Sequence, residues 1–320
     1  MVVGLAIVAA GVAFLLDTLA VDVPWGILLP SAVLLVGLLL LLNPRSGSSG
    51  GWVTVGVIMT VVLLVSSLGG QPFAGGSADN IESADFVVNE RVDRIIVRAD
   101  AGMVEVRPGS GDIVEVERQL NFNDERPQVG FTVDEGVLEV EADCPGGFLS
   151  FGSSCSVDHL LRVPVSVEVE IDAGSGSARV AGLEGDVRVD TGSGVVELAD
   201  LSGRVRAESG SGGVVLERLS GTTDVVTGSG GIRGSGLTSR RLVAATGSGS
   251  IILAFASSPD DLDLETGSGS VTITVPAGSY RLDLDTSAGS TDSPGISDDA
   301  SSARTIRIRT GSGSIRVSGE

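Results

Sequence analysis

The chain has 320 residues, 41 of them acidic against 21 basic, for a formal net charge of −20 at pH 7. That balance excludes nucleic acid as a partner, because its phosphates would be repelled. All 21 basic residues are arginine, which reflects genome composition or a high-salt habitat rather than mechanism. Charge is also unevenly spread: the chain is almost uncharged to about residue 70 and is charged and glycine-punctuated afterwards. Two regions with separate cores are expected.

Three apolar runs come first, at about Val2–Leu16, Val23–Leu42 and Trp52–Leu68. A membrane-crossing helix needs roughly 20 apolar residues. The second run supplies them, the third is slightly short, and the first suffices when Asp17 lies among the headgroups. No positive segment precedes the first run and two more runs follow it, which argues against a cleaved signal peptide. The expectation is an α-helical transmembrane region of three helices over residues 1–68, with a tight hairpin through Asp17–Asp22. Arg45 is the only basic residue before Arg91. The excess of positive charge on cytoplasmic loops then places Arg45 inside and everything after Leu68 outside. Residues 69–83 begin GGQPFAGGSADN, the composition of a tether.

Residues 84–163 alternate apolar and polar in DRIIVRAD, MVEVRPGSGDIVEVE and FTVDEGVLEVEA, with Asp134-Glu135-Gly136 as a hairpin turn. They read as less regular strands that cap the repeats after them. Cys144 and Cys155 flank a glycine-rich loop. A small disulfide there fits an oxidising compartment; buried free thiols and a metal site are the alternatives, although the spacing matches no CxxC zinc or redox motif.

Over residues 164–320 a Gly-Ser-Gly triplet keeps returning, as Gly174/Gly176, Gly192/Gly194, Gly210/Gly212, Gly228/Gly230, Gly247/Gly249, Gly267/Gly269 and Gly311/Gly313. The steps are 18, 18, 18, 19, 20 and 44 residues, the last divided by a degenerate copy at Thr286-Ser287-Ala288-Gly289. Apolar residues sit three and five positions before the triplet, as Val189 and Val187, and four and six after its first glycine, as Val196 and Leu198. Period-two alternation on both sides means two half-buried strands per repeat. Leu183 with Gly185, Leu201 with Gly203 and Leu219 with Gly221 mark a second corner. One such repeat cannot bury its apolar face alone, so the copies must stack. The fold class is therefore all-β, a parallel β-solenoid of ~18–20-residue rungs behind the helical region. Each triplet is a structural corner, where glycine is expected to supply positive φ and to leave room for the corner stacked on it. Thr191, Thr227, Thr246, Thr266, Thr286 and Thr310 precede the corners and should form a column bonding between rungs. Stacked in chain order, the last rung ends at Glu320 without a cap, leaving an open edge.

The triplet is not a phosphate loop, which needs a lysine and a following helix. Nor is it a calcium roll, since Ser177, Val195 and Gly213, rather than aspartate, follow the triplets. The cation candidate is an outward ladder of Asp261, Asp263 and Glu265 on one rung and Asp283 and Asp285 on the next, with Arg281 facing Asp261. Calcium is the ion considered there, against a plainly solvated acidic face; no other cofactor is expected. A polysaccharide-cleaving enzyme needs paired carboxylates in a cleft, whereas these are scattered over many rungs. The outer region holds one tyrosine, Tyr280, and no tryptophan. His159, the only histidine, reads as a surface or capping side chain, and no catalytic triad assembles around it. The chain is read as a non-enzyme, with a carbohydrate-active β-helix as the least favoured alternative.

The pattern V-x-V-x-T-G-S-G-x-V-x-L-x-x-L-x-G resembles the bacterial and archaeal toast-rack domain, an adhesin-like domain of unknown function. The resemblance covers roughly Asp85–Glu320, and Cys144/Cys155 followed by a strand ending in Val163-Pro164 looks like the start of such domains. FLLDTL (14–19), Trp25, Pro30, Gly37 and a leucine-rich end are similar to the helical hairpin of membrane proteins in envelope-stress systems; the third helix departs from that simplest arrangement. The resemblance implies a non-enzymatic envelope protein that senses or modulates envelope stress; with the spans and orientation read above, a multi-pass cell-membrane protein with an extracytoplasmic C-terminal domain is expected. The polar columns and open rung edge are expected to meet a protein or an envelope polymer, the further step to a membrane signalling protein rests on the resemblance alone, and the resemblance supplies no binding residues. An adhesin or structural stalk without signalling is the alternative.

Overall fold

The computed structural model describes residues 80–123, 125–145 and 155–320. The three expected membrane helices over 1–68 and most of the expected tether lie outside the described residues. Every regular element among the described residues is a strand, and no helix there is long and apolar enough to cross a membrane. The last four residues of the expected tether, Asn80–Ser83, form a strand instead. They run antiparallel to Val114–Phe122 and pair its outer edge, from Asn80↔Phe122 to Ser83↔Gln119.

The strands form two sheets, of 13 and 12 members. Each interior repeat gives one strand to each. Val196–Ala199 lies in the first sheet and Val187–Thr191 in the second, each paired in parallel with its equivalent in the next rung, Val196↔Val214 and Val187↔Val205. Alternation turns Val187, Val189, Val196 and Leu198 into the core and leaves Arg188, Asp190 and Glu197 outside. Leu183, Leu201 and Leu219 from the second corner are also fully buried and close one side of that core. Burying each such side chain contributes roughly 1.5–3 kcal/mol, repeated rung after rung.

The triplet glycines answer to close approach rather than to handedness. A Cβ on Gly194 would lie 1.7 Å from the Gly176 carbonyl oxygen, and one on Gly212 would lie 1.7 Å from that of Gly194. Of the triplet glycines only Gly313 has a positive φ, 152°, so the expected positive-φ corners are corrected to bends packed backbone on backbone. The hydroxyl column ties these corners together. Thr227 Oγ1 donates to Gly212 O at 2.9 Å, Thr246 to Gly230 O at 2.8 Å and Thr266 to Gly249 O at 2.8 Å. Where the column lacks a threonine, Ser209 takes the place and donates to Gly194 O at 3.3 Å. Each of these bonds reaches a corner carbonyl of the preceding rung, which the tight corner shields from water; Thr191 departs from the expected column and donates at 3.3 Å to Gly194 O of its own corner.

At both ends the order of rungs departs from the order of the chain. Thr305–Ser312 lies between Asp261–Ser268 and Gly278–Ala288, parallel to both. Ile315–Gly319 lies likewise between Val271–Val275 and Thr291–Asp292. The corner at Gly269 is corrected accordingly. Chain order stacks the degenerate corner of Gly289 on Gly269, but Gly313 takes that place, and a Cβ on it would lie 2.1 Å from Gly269 O. Thr310 Oγ1 donates to the same Gly269 oxygen at 2.9 Å, and Gly269 N donates to Ser312 O at 2.9 Å. Gly289 stacks one rung further out, on Gly313.

At the other end Arg94–Ala99 lies between Val137–Asp143 and Glu168–Ala173, and Met103–Pro108 lies between Cys155–Val163 and Ser177–Ala181. Residues 84–163 therefore build two rungs of the stack as well as its cap. Each skipped rung is crossed at a Val-Pro dipeptide, Val163-Pro164 and Val275-Pro276. Proline has no N–H to leave unpaired where the chain departs from a ladder. Cys144 and Cys155 are joined by a disulfide, with Cα atoms 5.8 Å apart, linking Val137–Asp143 in one sheet to Cys155–Val163 in the other. The open edge expected at Glu320 is corrected: the outermost long strand at that end is Gly278–Ala288.

Candidate interaction surface

The interleaving dismantles the expected carboxylate ladder. Asp261, Asp263 and Glu265 are not neighbours of Asp283 and Asp285, because Thr305–Ser312 separates them in the registers Asp263↔Arg307↔Asp283 and Glu265↔Arg309↔Asp285. Arg307 Nη1 is 3.1 Å from Asp263 Oδ2, and its Nε is 3.5 Å from Asp283 Oδ2. Arginine occupies the gap that a cation was expected to fill. Arg281 does not face Asp261; it donates to the carbonyls of Ala300 at 3.0 Å and Ser302 at 3.2 Å. Among the described residues no group of three or more His, Cys, Asp or Glu is placed to hold a metal ion.

The same acid–arginine matching runs over the other outer faces. Arg206 pairs with Glu208 and lies 3.6 Å from Asp224 on the next rung. Arg218 spans a rung to Asp200 at 2.6 Å, and its hydrogen bond holds the Asp200 carboxyl below the usual range. Burial acts the other way on Asp190, raising its pKa against the pull of Arg188. Exposed pairs of this kind contribute about 0–1 kcal/mol each, so they select neighbours more than they stabilise.

A groove of about 410 Å³ opens near the N-terminal end, with Asp85, Met103, Glu105, Glu117, Asp158 and His159 among its walls. His159 is not a surface residue, as its sequence context suggested: it is 2% exposed. It pairs in register with Arg118, itself 7% exposed, between Val116↔Leu161 on one side and Leu120↔Val157 on the other. The two form a polar layer between the main core and a small second cluster. Arg118 Nε donates to Ala84 O at 2.9 Å, and its guanidinium stacks over Phe86, which stacks in turn on Phe131. His159 Nδ1 lies 3.1 Å from Val157 O, so that nitrogen carries the proton; Nε2 has no hydrogen-bond partner. Burial first, and then the Arg118 charge, push the His159 pKa down to about 4. The imidazole is neutral at pH 7 and is walled in by protein. Tyr280, the one tyrosine of the outer region, is also buried, its hydroxyl donating to Pro276 O at 2.8 Å.

At the other end of the stack the second sheet terminates on Gly278–Ala288 and Ile296–Asp298, as it terminates on Gln128–Asp134 at this one. Ile296–Asp298 pairs only with Gly278–Tyr280, so beyond Tyr280 the outer edge of that long strand meets no further strand among the described residues. Arg281 N donates inward to Arg304 O at 2.8 Å. In a parallel ladder the alternate residues Leu282, Leu284 and Thr286 then turn their backbone groups outward. Asp298 Oδ1 accepts from Leu282 N at 3.1 Å and guards the first of them. Sequence reasoning missed this edge because it assumed that rungs follow chain order; the two Val-Pro dipeptides were the available sign that they do not.

Comparison with known proteins takes in the capping strands as well as the repeats. The family profile described as Toastrack DUF4097 matches residues 92–318. A solved structure described as a candidate adhesin from Bacteroides fragilis is similar over 75% of this chain and 97% of its own, at 15% identity and a TM-score of 0.48. A candidate adhesin from Parabacteroides distasonis covers 75% and 98%, at 16% identity and a TM-score of 0.37. A candidate cell adhesion protein from Clostridium sporogenes covers 75% and 100%, at 13% identity and 0.34. No curated protein matches the sequence.

Proposed function

The chain belongs to the Toastrack DUF4097 family, and from that premise we propose that it is a non-enzymatic, membrane-anchored interaction protein of the cell envelope. Helices within residues 1–68 hold it in the membrane, the Arg45 loop faces the cytoplasm, and the β-solenoid stands outside, where its disulfide persists. The observation that carries the interaction reading is the stack itself. Its interior is locked rung to rung by corner hydroxyls, its outer faces match acid to arginine, and the outer edge of Gly278–Ala288 beyond Tyr280 meets no further strand among the described residues. Such an object offers a stiff, repetitive surface and a template edge rather than a reaction chamber. Binding at the solenoid reaches a membrane signalling protein through the helices, and the response belongs to envelope stress; this part rests on the likeness of residues 14–37 to envelope-stress membrane proteins.

The test is the protease sensitivity of a C-terminal epitope tag in cells stripped of wall, before and after lysis. Cleavage before lysis is expected; protection until lysis would put the solenoid in the cytoplasm and sink the envelope reading. A deletion strain then separates signalling from its rival. Altered envelope-stress transcription supports the sensor. Normal transcription with altered adhesion or wall integrity supports a stalk, which the stiffness of the stack favours.

A further inference from the structure

Three features coincide along Leu282–Thr286, at the open end of the stack. Backbone groups face outward there with no strand beyond them among the described residues. Leu282 and Leu284 point inward yet are only half-buried, whereas Leu262, Leu264, Ile306 and Ile308 in the matching positions of the two preceding rungs are 0% exposed. Asp283 and Asp285 point outward, and the Asp283 side chain keeps 58% of its surface exposed despite Arg307 beside it. The inner edge of the same strand shows what such a combination accepts. There Thr305–Ser312, sequence TIRIRTGS, sets Ile306 and Ile308 against Leu282 and Leu284, and Arg307 and Arg309 against Asp283 and Asp285.

We propose that this open edge docks an extended segment of a partner protein in which arginine alternates with aliphatic residues, added in parallel as one further rung. The proposal rests on the interaction reading above and names the chemistry of the partner. Strand addition supplies main-chain hydrogen bonds through Leu284 and Thr286. The aliphatic residues complete the burial of Leu282 and Leu284, and the arginines meet the two carboxylates. A second copy of this chain is a poorer occupant. Two-fold pairing with full overlap brings the Asp283 and Asp285 carboxylates of both chains together, and like charges on paired strands are destabilising.

The probe is the synthetic peptide ARTIRIRTGS, the sequence of residues 303–312, titrated by fluorescence anisotropy into the full-length chain kept in mild detergent. Saturable binding is expected, weakened by about tenfold or more when the arginines are replaced by glutamate. Leu284→Pro removes an outward N–H from an edge strand, where proline is tolerated, and is expected to abolish binding. Two further peptides, N-methylated at alternate residues in opposite phases, give a readout that needs no variant protein. Docking at the end uses one peptide edge, so one phase should still bind. Replacement of the chain's own Thr305–Ser312 uses both edges, so neither phase would. Absence of binding by the parent peptide, binding that survives Leu284→Pro, or loss of binding in both methylated phases overturns the proposal. None of these results touches the tag-accessibility and deletion experiments, so the two readings fail separately.

Discussion

Interior and ends of the stack are built from the same rungs by different rules. From Glu168 to Val275 the chain order is the stacking order, and each rung sits on the one before it through identical corners. At the ends the order is interleaved, and features absent from the interior appear: Val-Pro crossings, a disulfide, the buried Arg118–His159 layer, and an arginine strand held between two acidic ones. The difference teaches that a periodic pattern specifies what a rung looks like and leaves its place unstated. Most rungs present similar inward aliphatic residues, so burial alone hardly distinguishes one neighbour from another. Charge, crossings and capping residues make that choice.

The largest expected effect tests the interior rule. Gly194→Ala puts a Cβ 1.7 Å from a backbone oxygen and should lower unfolding free energy by about 4 kcal/mol or more, as a large backbone clash does. Gly213→Ala, whose Cβ would meet its nearest atom at 3.3 Å, should change it by less than about 1 kcal/mol. Equal effects in urea denaturation would break the claim that close approach, and not glycine content, defines the corners.

The next concerns the N-terminal end. The folded-state pKa of His159 is lowered from 6.5 to about 4, so between those values the unfolded chain binds a proton that the folded chain does not. Its contribution to stability is intact above about pH 6.5, falls as the pH drops towards about 4 and then levels off, a loss of about 3 kcal/mol in all. Urea midpoints measured across that window should fall in the parent and lose most of this slope in His159→Gln. An unchanged slope would mean that the Arg118–His159 layer opens to water.

At the C-terminal end, Arg307→Glu should destabilise by about 1–2 kcal/mol through like charges facing Asp263 and Asp283. Adding Asp263→Arg and Asp283→Arg should recover most of it, read as a coupling energy in a mutant cycle. Additive losses would show that charge does not choose this strand's neighbours. Thr246→Val removes the 2.8 Å bond to Gly230 O and should lower stability by about 1 kcal/mol. The smallest effect is expected from calcium: because arginine already separates the two acidic strands, millimolar calcium should leave the melting temperature unchanged, and a rise of several degrees would revive a cation site there.

Much of the fold was legible because its signals are local. Val187, Val189, Val196 and Leu198 alternate, and alternation means a half-buried strand whatever surrounds it. Thr227 and Thr246 before Gly-Ser-Gly announced a column, and a column needs only a constant period. The candidate surface was less legible, because its geometry depends on which strands are neighbours. Asp263 and Asp283 look adjacent when rungs are counted along the chain, and nothing within DLDLET or RLDLDT says that TIRIRT will come between them. His159 was misread for a different reason: it shares the inward parity of Val157, Leu161 and Val163 in its own strand, so alternation already pointed it inward, and only the buried Arg118 paired with it on a distant antiparallel strand lay beyond the sequence.

By itself the sequence determined an acidic, arginine-only chain with an apolar beginning, two strands per glycine-marked repeat, the inward face of each strand and the parallel stacking of the copies. All of these follow from composition, side-chain alternation and the need of one repeat to bury its face on the next. Only the tertiary structure decided the order of the terminal rungs, the neutralisation of Asp263 and Asp283 by Arg307, the pairing of His159 with Arg118 and the position of the open edge. These depend on contacts between segments tens of residues apart, where strands equal in hydrophobic pattern compete for one place and charge, proline crossings and edge pairing decide which one takes it.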